Sequence, residues 1–167
     1  MRVLGIDPGT RLTGWGVVEA RGPKLHACAA GVIRAGERCP LPERLARIEA
    51  GLVELIEAHA PAVVAVEEIF FAKHANAALK LGHARGVVLL VAEKAALPIH
   101  EYAPTLVKRT VAGRGGASKD QVAQLVGALL GLSALPSVDA TDALAIAITH
   151  CQAARARGAV LASKRRA

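Results

Sequence analysis

The order of apolar runs along the chain predicts an α/β fold: a five-stranded mixed sheet with helices on both faces. Three observations predict it. The first forty residues read as three strands separated by Gly/Pro turns, the pattern of an antiparallel meander. Two helix–strand units follow, the first of those strands being the continuous apolar run of a strand buried on both sides. The chain then closes with helices only, so helices must cover both faces of the sheet.

Each element has a local reason. Val3–Asp7 is an apolar strand that stops on a carboxylate, meets Pro8-Gly9-Thr10, and is followed by strands Gly14–Ala20 and Leu25–Arg34. A helix then begins, with Pro42 in its first turn, where the missing amide costs nothing. Its Leu45, Ile48, Leu52, Leu55 and Ile56 recur on one face, and Pro61 bars continuation. Ala62–Val66 is the buried central strand, and it too ends on a carboxylate, Glu67. Phe70–Asn76 reads as a loop leading into a helix from about Ala77 to Ala96. Pro98–Tyr102 is the fifth strand. Helices follow over Thr105–Ala112 and Lys119–Leu132, with a Gly-rich hinge between them, and a last helix begins near Val138.

With 167 residues the chain is most simply one domain, large enough for a core without disulfides or metals. That core must be aliphatic, since hydrophobic residues make up 53% but aromatics only 2%. Cys28, Cys39 and Cys151 are odd in number, widely spaced and without a CxxC pair, as expected of thiols in a reducing compartment. Asp7 interrupts the first apolar run, no secretory signal is legible, and no stretch approaches the ~20 apolar residues that span a bilayer, so a cytoplasmic protein with no membrane association is expected. The formal charge is +7, of which Arg155, Arg157, Lys164, Arg165 and Arg166 carry five, in a tail with no acid after Asp142. A second acid-free window, Ala103–Lys119, holds Lys108, Arg109, Arg114 and Lys119. Basic clusters of this kind fit a polyanion such as nucleic acid, although a basic tail is often no more than a solvated, disordered end.

The acids are placed more tellingly than the bases. Asp139 and Asp142 stand three apart, so one helical face presents both. Asp139 alone would be a helix-terminal charge, worth about 0.3–1 kcal/mol. Asp142 is different, because the apolar run Ala143–Ile148 directly after it predicts burial, and a buried charge needs a partner or a metal. Asp7 alone is a turn former and Glu67 alone an ion-pair partner. Converging on the carboxyl end of a sheet, these acids would repel one another unless a cation neutralised them. Hard oxygen donors without a His/Cys cluster point to Mg²⁺, or Mn²⁺ in its place, rather than Zn²⁺. A basic protein with one acidic pocket suits metal-assisted phosphodiester hydrolysis, in which two ions activate a water and stabilise the leaving oxygen; the residues alone are compatible with one ion or two.

The blocks GIDPGTRLTGWGVVE, AVEEIFFAKHANAALKLGHARGVVL, EYAPTLVKRTVAG and DATDALAIAITHC, in this order and spacing, resemble the RuvC family of Holliday-junction resolvases. The resemblance runs from about residue 1 to 152, is weakest between Gly22 and Cys39, and fades in the tail. It implies an RNase H-like nuclease domain over residues 1–152 followed by the basic tail 153–167. It further implies a homodimer that resolves four-way junction DNA in recombination and repair by paired symmetric nicks, leaving 5′-phosphate and 3′-hydroxyl ends. RuvA and RuvB, the branch-migration motor of the same pathway, are implied as partners. The family's acidic tetrad falls on Asp7, Glu67, Asp139 and Asp142, with Mg²⁺ as cofactor. Its junction-stacking aromatic falls on Phe70, and its two supporting basic residues on Lys108 and Lys119, the latter near the scissile phosphate. Phe70 and Phe71 stand together beside Lys73 in a chain poor in aromatics, and either Phe could be the exposed one. Phe70, Phe71, Lys73, Lys108, Arg114 and Lys119 are thus the candidate DNA contacts. A C₂ dimer suits a two-fold junction, and the helix from Ala77 offers Leu79, Leu81, Val87, Leu90 and Val91, with Gly82 and Gly86 allowing close approach. For His74 and His150 the sequence leaves open a part in proton transfer, although a lone histidine is more often structural or solvated.

Three other functions fit parts of the pattern. Actin-like phosphotransferases also open with a strand, an acid, Gly and Thr, but need two such domains. An RNase H-like nuclease for RNA would differ in substrate preference. A non-catalytic junction binder would not need the intact tetrad.

Overall fold

The structure, a computed structural model, describes residues 1–68 and 75–164. Its sheet has five strands in the order β3-β2-β1-β4-β5: β1 Arg2–Asp7, β2 Leu12–Arg21, β3 Lys24–Arg34, β4 Val63–Glu67 and β5 Ile99–Tyr102. β1, β2 and β3 pair antiparallel, whereas β4 and β5 run parallel to β1. The mixed sheet expected from element order is the one observed.

The helices are α1 Leu41–His59, α2 Ala75–Lys94, α3 Pro104–Ala112, α4 Lys119–Leu130 and α5 Val138–Lys164. Most starts and stops have visible causes. Pro residues open α1 and α3 within their first two positions. Ser118 opens α4 with a capping box, its hydroxyl accepting from the amide of Gln121 while the Gln121 side chain accepts from the Ser118 amide. Gly131, left-handed at φ 63°, ends α4 two residues before the expected Leu132. α5 does not stop at residue 152, where a domain gave way to a tail in the expectation. It continues as helix to Lys164, and Arg155 ties it to the β2–β3 turn by donating to the carbonyls of Gly22, Pro23 and Lys24.

Strand alternation sends side chains to two cores, as a period of two requires. Leu4, Ile6, Val17, Val64 and Val66 face α1 and α2. Val3, Val18, Val63 and Ala65 face α3, α4 and α5. Both strands that end on acids therefore aim them the same way: Asp7 follows Val3 and Gly5 in phase, and Glu67 follows Val63 and Ala65. The parallel register matches Ile6 with Val66, so Asp7 and Glu67 are lateral neighbours beneath α5.

α5 reaches that position because the sheet beneath it has no side chains in the way. A Cβ on Gly5 would lie 2.1 Å from the Ala143 carbonyl oxygen, and one on Gly14 2.1 Å from that of Asp139. The atoms met are helix backbone, which cannot swing aside. Gly5→Ala and Gly14→Ala are therefore expected to lower stability by about 1–3 kcal/mol or more through overpacking. Urea unfolding monitored at Trp15 checks this; a change below 0.5 kcal/mol, the range of an ordinary surface substitution, would contradict the close packing.

Candidate active site

Asp7 ends β1 opposite Gly14 of β2, and Gly14 carries the backbone of Asp139 directly above it. The turn between the strands is held by Thr13, fully buried, whose hydroxyl donates to the Gly9 carbonyl at 2.8 Å. Glu67 ends β4, and Asp142 stands one turn into α5. Asp7, Glu67 and Asp142 line one cleft of about 320 Å³, together with Lys108 of α3 and Lys119 at the start of α4. Its remaining walls are apolar, Val107, Val122 and Ile146 among them. Asp139 is not part of that wall. Its backbone lies over Gly14, the β2 partner of Asp7, and its charge raises Asp7, the weakest of three carboxylate influences there.

The electrostatics of the cleft are those of crowded carboxylates. Burial, and then the charges of Glu67, Asp142 and Asp139 in decreasing order, raise Asp7 from 3.8 to about 7 against the opposing pull of Lys119. Burial and the Asp142 charge also raise Glu67, with Lys119 and Lys108 acting in the other direction. Lys119 donates to Asp142 Oδ2 at 3.1 Å, and that bond holds its ammonium above the usual lysine range. The ion pair is open to solvent, with Lys119 71% and Asp142 31% exposed, so its weight is in placing charge rather than in stability.

The residues singled out from sequence divide cleanly. Asp7, Glu67, Asp142, Lys108 and Lys119 come together in the cleft. Arg114 does not line it; its guanidinium donates to Gln121, bracing the hinge before α4. Phe70, Phe71, Lys73 and His74 lie outside the described residues. On α2, Leu79 and Leu90 are exposed at 64% and 51%, whereas Val91 is buried against α1 and cannot belong to an outer face. His150 is buried and hydrogen-bonded to Tyr102, with the phenol oxygen 2.8 Å from Nδ1. The apolar walls contributed by Val107 and Val122 went unread from sequence, where they are indistinguishable from core residues.

The sequence model of the family described as Crossover junction endodeoxyribonuclease RuvC matches residues 3–150. The chain belongs to the RuvC family. It is 53% identical to a crossover junction endodeoxyribonuclease RuvC of Sorangium cellulosum over 98% of this chain and 91% of that one. It is 51% identical to that of Methylorubrum populi over 100% and 87%. Among solved structures it is similar to T. thermophilus RuvC in complex with Holliday junction substrate, with a TM-score of 0.88, 41% identity, and 93% and 95% of the two chains covered. The fold is thus RNase H-like, and the activity of the family is that of a DNA endonuclease. The yeast mitochondrial Holliday junction resolvase Ydc2 shares the fold at 17% identity and a TM-score of 0.62.

Three carboxylates that line one cleft, with the charge of a fourth reaching Asp7 and with Asp7 driven toward neutrality by burial and then by its acidic neighbours, are hard oxygen donors short of positive charge, the set that Mg²⁺ or Mn²⁺ takes. Among the described residues no three His, Cys, Asp or Glu side chains are gathered around a single point as they stand. The Lys119 ammonium is instead bonded to Asp142 and balances part of the charge. The residues fit an ion once Lys119 is displaced and Asp7 has released its proton.

Asp7 in the fold keeps its proton to about pH 7, but in the unfolded chain only to 3.8. The stability it contributes is fully present below the lower value and is lost as pH rises through 7, on the order of 4 kcal/mol in all. Asp7→Asn in EDTA is therefore expected to melt well above the parent at pH 8, with the gap closing toward pH 4. Scanning calorimetry across that range checks it; a gap that does not depend on pH would contradict the crowding.

Proposed function

We propose that this chain is a Mg²⁺-dependent endonuclease that resolves four-way DNA junctions by paired symmetric nicks. The observation that carries the reading is the meeting of Asp7, Glu67 and Asp142 with Lys108 and Lys119 in one cleft, in a chain of the RuvC family. Asp7, Glu67, Asp139 and Asp142 would hold the metal; three of them line the cleft, and the charge of Asp139 reaches Asp7. A bound divalent ion, or a pair of them, supplies Lewis acidity toward a phosphoryl oxygen and a water nucleophile available at neutral pH. Asp7 binds only after releasing its proton, which its raised pKa allows near pH 7. Lys119, freed from Asp142, is exposed enough to meet the scissile phosphate, and Lys108 offers a second positive charge in the same cleft. Products with 5′-phosphate and 3′-hydroxyl ends are the family's and are proposed here. Phe70, Phe71 and Lys73 are proposed as junction contacts, since base stacking is worth roughly 1–3 kcal/mol and needs no sequence match. Arg114, exposed at the hinge, is proposed to contact the DNA backbone.

Two nicks need two active sites, and α2 supports a homodimer. Its inner face, Ala84, Val88 and Val91, is buried against α1. Its outer face presents exposed Leu79 and Leu90, and Gly82 and Gly86 with open space above them. Apolar side chains flanking a bare backbone are what a closely packed helix pair requires. No helix among the described residues is long and apolar enough to cross a membrane, and a cytoplasmic protein working with RuvA and RuvB is proposed from family membership.

Two experiments test this. Cleavage of a mobile four-way junction, a linear duplex and an RNA–DNA hybrid is compared with and without Mg²⁺. The parent is expected to cut only the junction and only with metal. Asp7→Asn is expected to bind the junction and lose about 10³-fold in cleavage, the equivalent of several kcal/mol of metal catalysis; cleavage at the parental rate would overturn the assignment. Leu79→Arg/Leu90→Arg is expected to sediment as a monomer and to uncouple the two nicks, whereas an unchanged dimer would place the interface elsewhere.

A further inference from the structure

The parallel pairing of β1 with β4 ends at Ile6 and Val66, one residue short of the acids. Glu67 is paired on its other side only, with Tyr102 at the end of β5, and the amide of Glu68 donates to the Tyr102 carbonyl at 2.9 Å. The backbone that aims Glu67 is thus held by one residue of an edge strand. That residue is itself anchored. Partners in adjacent parallel strands point to the same face, so Tyr102 projects beneath α5, where it is buried and its phenol oxygen lies 2.8 Å from His150 Nδ1. His150 is two turns beyond Asp142 on the same helix. Glu101 turns to the opposite face and pairs with Arg85 of α2, leaving Tyr102 as the hydrogen-bonded link from the end of β5 to α5.

We propose that Tyr102 and His150 are positioning residues for the metal site, setting Glu67 at a fixed distance from Asp142. The link runs from the Glu67 backbone through the Tyr102 backbone and phenol to His150, and along α5 to Asp142. Its chemistry suits a permanent tie. Burial, with His100 and Arg157 nearby, lowers His150 to about 4, and burial raises the Tyr102 hydroxyl against the opposing pull of Arg157, which also belongs to α5. Both groups are therefore neutral across the working range; with the ring proton assigned to Nε2, the phenol donates to Nδ1. The His100 ring lies 4.7 Å from that of His150 and closes the other side of the pocket. Without the bond the end of β5 loses its fixed height under α5, and Glu67, which has no β1 partner at that point, moves with it.

The inference rests on the metal-site reading above, and the test separates the two. Mn²⁺ binding to the full chain is followed by electron paramagnetic resonance without DNA, alongside thermal melting in EDTA. Tyr102→Phe keeps the ring and removes the hydroxyl. It is expected to weaken Mn²⁺ binding about tenfold, the low end for partners that orient metal ligands, and to raise the Mg²⁺ needed for half-maximal junction cleavage by a similar factor. His150→Asn can still accept the phenol proton and is expected to bind Mn²⁺ within twofold of the parent, whereas His150→Leu is expected to match Tyr102→Phe and add little to it in the double variant. A purely structural role would lower the melting temperature while leaving Mn²⁺ affinity in place. Parental Mn²⁺ binding by Tyr102→Phe, or equal loss in His150→Asn and His150→Leu, would overturn the positioning role alone. Absence of Mn²⁺ binding by the parent itself would overturn the metal site and this inference with it.

Discussion

The structure depends on how closely α5 lies on the sheet. Gly5 and Gly14 leave the helix backbone in contact with β1 and β2, at distances where any side chain would collide with a carbonyl. That contact buries Ala143 through Cys151 completely or nearly so. It also brings the first turn of α5, which carries Asp139 and Asp142, to the strand end that carries Asp7. A helix standing off by the width of one side chain would leave the same acids on opposite sides of a wider, wetter gap. Packing and chemistry are therefore one constraint: the small residues that let the core close also draw the carboxylates together.

Closing that gap has an electrostatic cost, which the protein meets in three ways. Asp7 remains protonated to about pH 7, Lys119 sits on Asp142, and Lys108 faces them from α3. A divalent ion held by these carboxylates, as proposed, would take the place of the proton and the ammonium, and Lys119 would then be free to meet a phosphate. The cleft is in this sense an anionic site prepared for a cation, within a chain whose overall charge of +7 suits a polyanion.

Much of this was legible in the residues. Strand alternation and the terminal positions of Asp7 and Glu67 are written directly in two short apolar runs, and the three-residue spacing of Asp139 and Asp142 needs nothing beyond helical geometry. Helix ends were less legible, because α4 stops at a left-handed Gly131 and α5 continues through residues whose composition resembles a tail. What sequence cannot express is pairing across distance. Tyr102 reads as the end of a strand and His150 as a lone histidine of open role, and only the fold shows them bonded to each other. The same holds for Val91, which shares a helix with Leu79 and Leu90 but faces the other way.

The most direct measurement of the central claim is anomalous scattering from Mn²⁺ in crystals of the protein. The expected result is a peak among the carboxylate oxygens of Asp7, Glu67, Asp139 and Asp142, with the Lys119 ammonium withdrawn from Asp142. A peak elsewhere, or none while Lys119 stays bonded to Asp142 at saturating Mn²⁺, would contradict it.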